Sequence, residues 1–166
     1  VEMLPELLSG TVTVIHQAGS SQMGEAQREA AMYLSRVKPE AAKRYLLYPF
    51  LDEGQYFYAL AAADLVISRA GAGGIFEIAA MGKPSILVPI TQAAGDHQRH
   101  NAYDYAETGA AEVLEEGNLT PNLFYSTIKR LLDDPQRRSL MSAAAKTFAK
   151  PEAARVIAGE LLKLTV

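Results

Sequence analysis

Cysteine and tryptophan are both missing from the 166 residues. Without cysteine there is no disulfide framework and no thiolate metal site, and the chain suits a reducing compartment. Long apolar runs are missing as well. None approaches the roughly 20 residues of a membrane-spanning helix, and no signal peptide is visible. Any membrane association is therefore expected to be peripheral. Excess positive charge is also lacking: the net charge is −3, which leaves no nucleic-acid footprint. No Gly-x-Ser-x-Gly elbow and no Walker Gly-Lys-Ser/Thr occurs. Neither an Asp-x-Asp metal motif nor the Gly-x-Gly-x-x-Gly of a nicotinamide enzyme is present. No internal repeat, low-complexity tract or interdomain linker interrupts the chain, so residues 1–166 read as a single domain.

What is present is ordinary for a globular protein, with 49% apolar and 21% charged residues. A chain of this size hides roughly 70% of its unfolded surface. Its organising stretch is 64–77, Asp-Leu-Val-Ile-Ser-Arg-Ala-Gly-Ala-Gly-Gly-Ile-Phe-Glu. Residues 65–67 are an apolar run of β-formers and predict a buried strand. Residues 68–74 hold three glycines and predict a turn. Residues 75–81 are helical, and Gly82-Lys83-Pro84 stops the helix. Glycines let backbone amides approach a ligand, and a helix start adds partial positive charge, which suits a phosphate or diphosphate. Glu77 lies about one turn into the helix, within reach of a sugar diol beside that phosphate. The alternative is a tight βα turn of an ordinary parallel sheet, with Glu77 solvated.

The rest of the chain repeats this alternation. Strands are expected at 11–16, 45–50, 85–88 and 111–114. Helices are expected at 25–37, 55–62, 96–108, 121–132, 136–148 and 152–164, with short helical pieces at 1–8 and 39–43 and a loop at 91–95. Thr120-Pro121 is an N-cap followed by proline at the first helical position. Such alternation predicts an α/β fold, a parallel sheet wrapped by helices on both faces.

In open parallel sheets, ligands lie beyond the carboxyl ends of the strands. Three such ends carry polar or glycine-rich turns: His16-Gln17-Ala18-Gly19, 68–74 and 89–101. In the third, Asp96-His97-Gln98-Arg99-His100-Asn101 opens a helix. There His97, Gln98 and Asn101 share nearby faces, and the two side-chain amides, of Gln98 and Asn101, suit sugar hydroxyls. A solvated first turn capped by Asp96 is the other reading. His97 and His100, with only Asp96 beside them, make a poor zinc pattern, so no metal is expected. His16 is a satisfied strand-end histidine or a ligand contact. Arg69 either faces a phosphate or braces the loop, the latter slightly preferred. The tyrosines at 45, 48, 56 and 58 read as packing residues, and the basic cluster at 129–138 as a solvated helical face.

These residues resemble the C-terminal, donor-binding half of glycosyltransferase family 28. The resemblance rests on His16-Gln-Ala-Gly19, the stretch 64–77 with Ile78-Ala-Ala, Gly82-Lys-Pro84, and Asp96-His-Gln98 with Asn101-Ala102. The His-Gln-x-Gly turn and the Asp-His-Gln-x-x-Asn-Ala run are similar to its peptidoglycan-building members. The resemblance implies a Rossmann-like domain of a GT-B enzyme and a UDP-N-acetylglucosamine donor. It implies transfer of N-acetylglucosamine to lipid-linked muramoyl pentapeptide (lipid I to lipid II), in the service of cell-wall growth, cell shape and division. The whole enzyme would sit peripherally on the cytoplasmic face of the bacterial inner membrane and meet its lipid acceptor through an N-terminal domain.

By the same resemblance, Glu77 holds the ribose hydroxyls and the backbone of Leu51 meets the uracil. Ala72, Gly73 and Gly74 cradle the diphosphate, and His97, Gln98 and Asn101 read the sugar. Gly19 and Ala18 form the matching first turn. The family often has Gln at the place of His97, and Ser or Thr at Ala18 and near Gly74, which leaves backbone amides for the diphosphate here. No cofactor or metal is implied. The acceptor domain and the first strand of the donor domain have no counterpart in these residues, so no transfer is expected from them alone. A split or non-catalytic nucleotide-sugar-binding subunit, or a related transferase with another sugar or acceptor, are the alternatives.

Overall fold

The computed structural model describes residues 1–90 and 96–164. The loop expected at 91–95 lies outside the described residues. The chain divides into two compact units, one made of Val1–Ala62 and Leu119–Asp133, the other of Ala63–Asn118 and Asp134–Val166.

In the first unit, β1 (Val14–Gln17) and β2 (Tyr45–Tyr48) pair in parallel, with Val14 opposite Tyr45 and Gln17 opposite Tyr48. Around them lie α1 (Leu4–Ser9), α2 (Met23–Leu34), α3 (Pro39–Ala42) and α4 (Glu53–Ala62), with α7 (Pro121–Asp133) returning later in the chain. Leu4, Leu8 and Ala30 form the buried cluster, flanked by Val14, Leu34, Val37 and Tyr45. The Arg44 guanidinium donates to the carbonyls of Leu8, Gly10 and Val12, tying the exit of α1 to the start of β2. Those carbonyls close or follow a helix and have no partner within it, so a cation with a fork of donors suits them.

In the second unit, β3 (Val66–Ser68), β4 (Ser85–Leu87) and β5 (Ala111–Val113) form a parallel sheet in the order β3-β4-β5. Every residue of β4 is buried, as expected of a central strand covered on both faces. The helices are α5 (Ala72–Ala80), α6 (His97–Glu107), α8 (Pro135–Phe148) and α9 (Ala153–Lys163). Ala70, Ile75, Ala79, Leu87, Ala102, Tyr105 and Ala145 share one core cluster. Phe148 meets the edge of Tyr105 at 4.9 Å and stacks on Phe76 at 5.4 Å. Asp134 caps α8 by accepting from the amide of Arg137 at 2.8 Å, and Pro135 follows as the first helical residue.

The parallel, helix-flanked α/β class follows the sequence reading. The five strands, however, are hydrogen-bonded as two sheets, one of two strands and one of three. Within the three-stranded sheet the order β3-β4-β5 follows the chain, as in the 4-5-6 portion of a 3-2-1-4-5-6 arrangement. Helix α5 starts at Ala72, so Gly73 and Gly74 lie inside its first turn, which the sequence reading gave to the preceding turn.

The far end of α5 closes by a Schellman pattern. The amide of Gly82 donates to the carbonyl of Ala79 at 2.9 Å, and that of Lys83 to Ile78 at 3.1 Å. Gly82 adopts φ +61, and a Cβ there would lie 2.5 Å from Cε and 2.8 Å from Cγ of Lys146. Gly82→Ala is expected to cost about 1–2 kcal/mol from the left-handed backbone alone, read in denaturant unfolding. An unchanged unfolding midpoint would contradict that reading of the turn.

Candidate functional site

The carboxyl end of β3 runs through Arg69 and Ala70 into Gly71, which stands at the N-cap of α5 with φ −68 and ψ 140. Gly71 has no side chain, and α5 has no capping side-chain hydrogen bond. The amides of Ala72, Gly73 and Gly74 cannot reach a carbonyl of their own helix. They find no acceptor among the described residues.

The glycines themselves are informative. Neither Gly71 nor Gly73 has positive φ, and a Cβ at either would meet nothing within 4 Å. At Gly74 a Cβ would only touch Ser68 Oγ at 3.8 Å, ordinary contact. Glycine in a helix costs about 1 kcal/mol relative to alanine. Neither backbone conformation nor internal packing repays that cost here. What the missing side chains leave is open approach to bare amides.

Glu77 lies farther along α5, exposed, and its carboxylate has no hydrogen-bond or ion-pair partner among the described residues. In the second turn of the helix its carboxylate oxygens offer acceptors, suited to a pair of hydroxyl donors.

Helix α6 supplies the other polar groups. Gln98 Oε1 accepts from the amide of Ile90 at 3.2 Å, and Asn101 Nδ2 donates to the carbonyl of Ala70 at 3.1 Å. Both amide side chains therefore hold backbone beyond the strand ends, a role that sequence spacing did not show. His97 is exposed. Asp96 occupies the N-cap position with φ 56, yet makes no capping bond; its carboxylate lies 3.9 Å from Arg99 Nη1. The first-turn reading with Asp96 as a hydrogen-bonding cap is corrected in that respect.

Two arginines brace the same edge. Arg69 donates to the carbonyl of Val88 at 3.3 Å and to Glu116 Oε1 at 2.7 Å, linking the exits of all three strands. Arg99 donates to Glu115 Oε1 at 2.9 Å, where the Tyr103 hydroxyl also donates at 2.8 Å. This shared carboxylate raises the pKa of both Arg99 and Tyr103. The acidic pair Glu115-Glu116 was the available sequence signal for these links, and it went unread.

In the first unit, His16 Nδ1 lies 2.7 Å from the Tyr45 hydroxyl, and burial lowers its pKa. Gln17 Oε1 accepts from the amide of buried Leu51 at 2.9 Å, joining the β1 turn to the β2 exit. The amide of Ala18 donates to the carbonyl of Tyr48 at 2.9 Å, and Gly19 takes φ +86, a conformation that favours glycine. A cavity of about 200 Å³ beside His16 and Ala18 is lined by Glu25 and Glu29, a poor surface for an anion. Among the described residues no cluster of histidine and carboxylate groups could hold a metal ion, and no helix is long and apolar enough to cross a membrane.

Residues 2–157 match the family model for the glycosyltransferase family 28 C-terminal domain. The chain belongs to glycosyltransferase family 28. Among curated relatives, the family 28 chain is similar to the UDP-N-acetylglucosamine–N-acetylmuramyl-(pentapeptide) pyrophosphoryl-undecaprenol N-acetylglucosamine transferase of Sorangium cellulosum. Identity is 39% over 151 residues, covering 91% of this chain and 35% of the relative. The protein of the same name from Chlorobaculum parvum is 37% identical over 158 residues, covering 95% and 40%. Among solved structures, Acinetobacter baumannii MurG superposes with a TM-score of 0.77 at 28% identity, covering 97% of this chain and 44% of that one. The spinosyn forosaminyltransferase SpnP shares the fold, with a TM-score of 0.62 at 18% identity over 96% and 46% of the two chains. This chain thus spans less than half the length of these relatives.

Gly73→Ala should raise the stability of the ligand-free chain by about 0.5–1 kcal/mol, because alanine is the better helix former and nothing crowds it. Denaturant unfolding checks this; a loss of stability would mean that the fold itself needs that glycine.

Proposed function

We propose that this chain is the donor-binding part of an inverting hexosyltransferase. In this reading it holds UDP-N-acetylglucosamine while the sugar is passed to lipid-linked muramoyl pentapeptide in peptidoglycan synthesis. The single observation that carries the reading is the start of α5, where glycines that the fold does not require leave amides open. The names of the curated relatives support the choice of donor and acceptor.

In this reading the diphosphate rests against the amides of Ala72, Gly73 and Gly74, where the helix dipole favours negative charge. Glu77 accepts hydrogen bonds from the two ribose hydroxyls. His97, Gln98 and Asn101 line the hexose. The acceptor's 4-hydroxyl oxygen attacks the anomeric carbon, its proton passing to a general base of the complete enzyme, as the bond from that carbon to the diphosphate oxygen breaks, inverting the centre. Negative charge grows on the departing UDP, and amides already in place stabilise it without rearranging. The complete enzyme works peripherally at the cytoplasmic face of the membrane.

Isothermal titration with UDP, UDP-N-acetylglucosamine and UDP-glucose tests the reading. UDP should bind, and UDP-N-acetylglucosamine should bind better than UDP-glucose. Glu77→Ala should weaken all three by about 1.5–3 kcal/mol, the scale of a hydrogen bond to a charged group. Undiminished affinity in that variant would remove Glu77 from the ribose. No binding of UDP to the wild-type chain would remove the proposal.

A further inference from the structure

We propose that Asn101 is a positioning residue for the diphosphate turn: its side-chain amide fixes the peptide plane that opens the glycine-rich segment. The inference rests on the functional reading above and assigns Asn101 a second task within it, beyond lining the hexose.

Ala70 is fully buried, with its methyl group in the cluster of Ile75, Leu87 and Tyr105. A carbonyl held in such surroundings needs a hydrogen-bond partner, since leaving one unmade is costly. Asn101 Nδ2 supplies it at 3.1 Å across a sequence separation of 31 residues. Asn101 is itself firmly held. Ala102 and Tyr105, its neighbours on α6, are both fully buried.

The peptide bond between Ala70 and Gly71 is planar and trans, so its N–H points opposite to its C=O. Drawing the Ala70 carbonyl toward Asn101 therefore turns the Gly71 amide away from α6. That direction matters because no buried side chain anchors the following segment before Ile75; the amide of Ile75 donates to the Gly71 carbonyl at 3.0 Å as the helix begins. Gly71, Gly73 and Gly74 have no side chains to pack, and glycine has the widest backbone freedom of any residue. One residue earlier, on the same flank, Arg69 is tied to Val88 and Glu116. Asn101 completes the restraint where the glycines begin. Preorganised amides stabilise a charge without reorganisation; amides free to rotate lose that advantage.

A residue that only reads sugar hydroxyls affects the sugar nucleotide alone. A residue that fixes the turn affects every ligand carrying the diphosphate. Asn101→Ala and Asn101→Leu, the latter keeping the shape and neutrality but losing the donor, separate these cases in the 166-residue chain. By titration, UDP and UDP-N-acetylglucosamine should weaken by the same factor, about fivefold to tenfold for one hydrogen bond. Uridine, followed by saturation-transfer NMR, should bind as it does to the wild type. In the ligand-free variants, ¹⁵N relaxation should show order parameters at 71–74 falling from about 0.85 towards 0.6.

Weakening of UDP-N-acetylglucosamine alone would overturn the proposal, as would unchanged order parameters in both variants. The relaxation measurement needs no ligand. A wild-type chain that bound no UDP would therefore defeat the functional reading while still deciding whether Asn101 holds the turn.

Discussion

The first turn of an α-helix carries amides that its own carbonyls cannot reach. Most helices satisfy them with a serine, threonine or aspartate cap, or leave them to water. Helix α5 does neither with a side chain of its own: its cap is Gly71, and its second and third residues are Gly73 and Gly74. The choice weakens the helix by propensity and gains nothing in packing. It does leave three donors bare at the positive end of a helix dipole, at the carboxyl end of a parallel sheet. The donor site proposed for this family 28 chain depends on that arrangement.

Bare amides are useful only if they are held still, and the surrounding structure is largely concerned with holding them. Ile75 and Ile78 anchor α5 in the core, and the Schellman close at Gly82 fixes its other end. Arg69 spans the exits of β3, β4 and β5 through Val88 and Glu116. Asn101 holds the carbonyl just before the glycines, and Gln98 holds the amide of Ile90 beyond β4. Exposed ion pairs of the Arg69–Glu116 kind contribute little to global stability. Their value here is geometric, since each fixes one loop at the same edge of the sheet.

Much of this was legible in the sequence because the signals were local. The apolar run at 65–67 and Gly82-Lys83-Pro84 marked strand and helix end within about a residue or two of their positions, the usual uncertainty of such boundaries. Helix α5 started earlier than expected, because glycine's poor helix propensity argued for a turn while the uncrowded backbone allowed a helix. The braces were not legible. Arg69 meets Glu116 at a separation of 47 residues, and such pairs are fixed by topology, which composition and spacing do not encode. The division of the strands into two sheets was hidden for the same reason: strand pairing is a property of neighbours in space. Asn101 is a candidate site residue by its spacing from Gln98 and by resemblance, but its bond to Ala70 needed coordinates.

The most direct check on the bare helix start is an amide-resolved NMR titration of the ¹⁵N-labelled chain with UDP. The account predicts that the largest saturable shifts fall on the amides of Ala72, Gly73 and Gly74, moving together with a single dissociation constant. Saturable shifts confined to other parts of the chain, with those three amides unmoved, would contradict it.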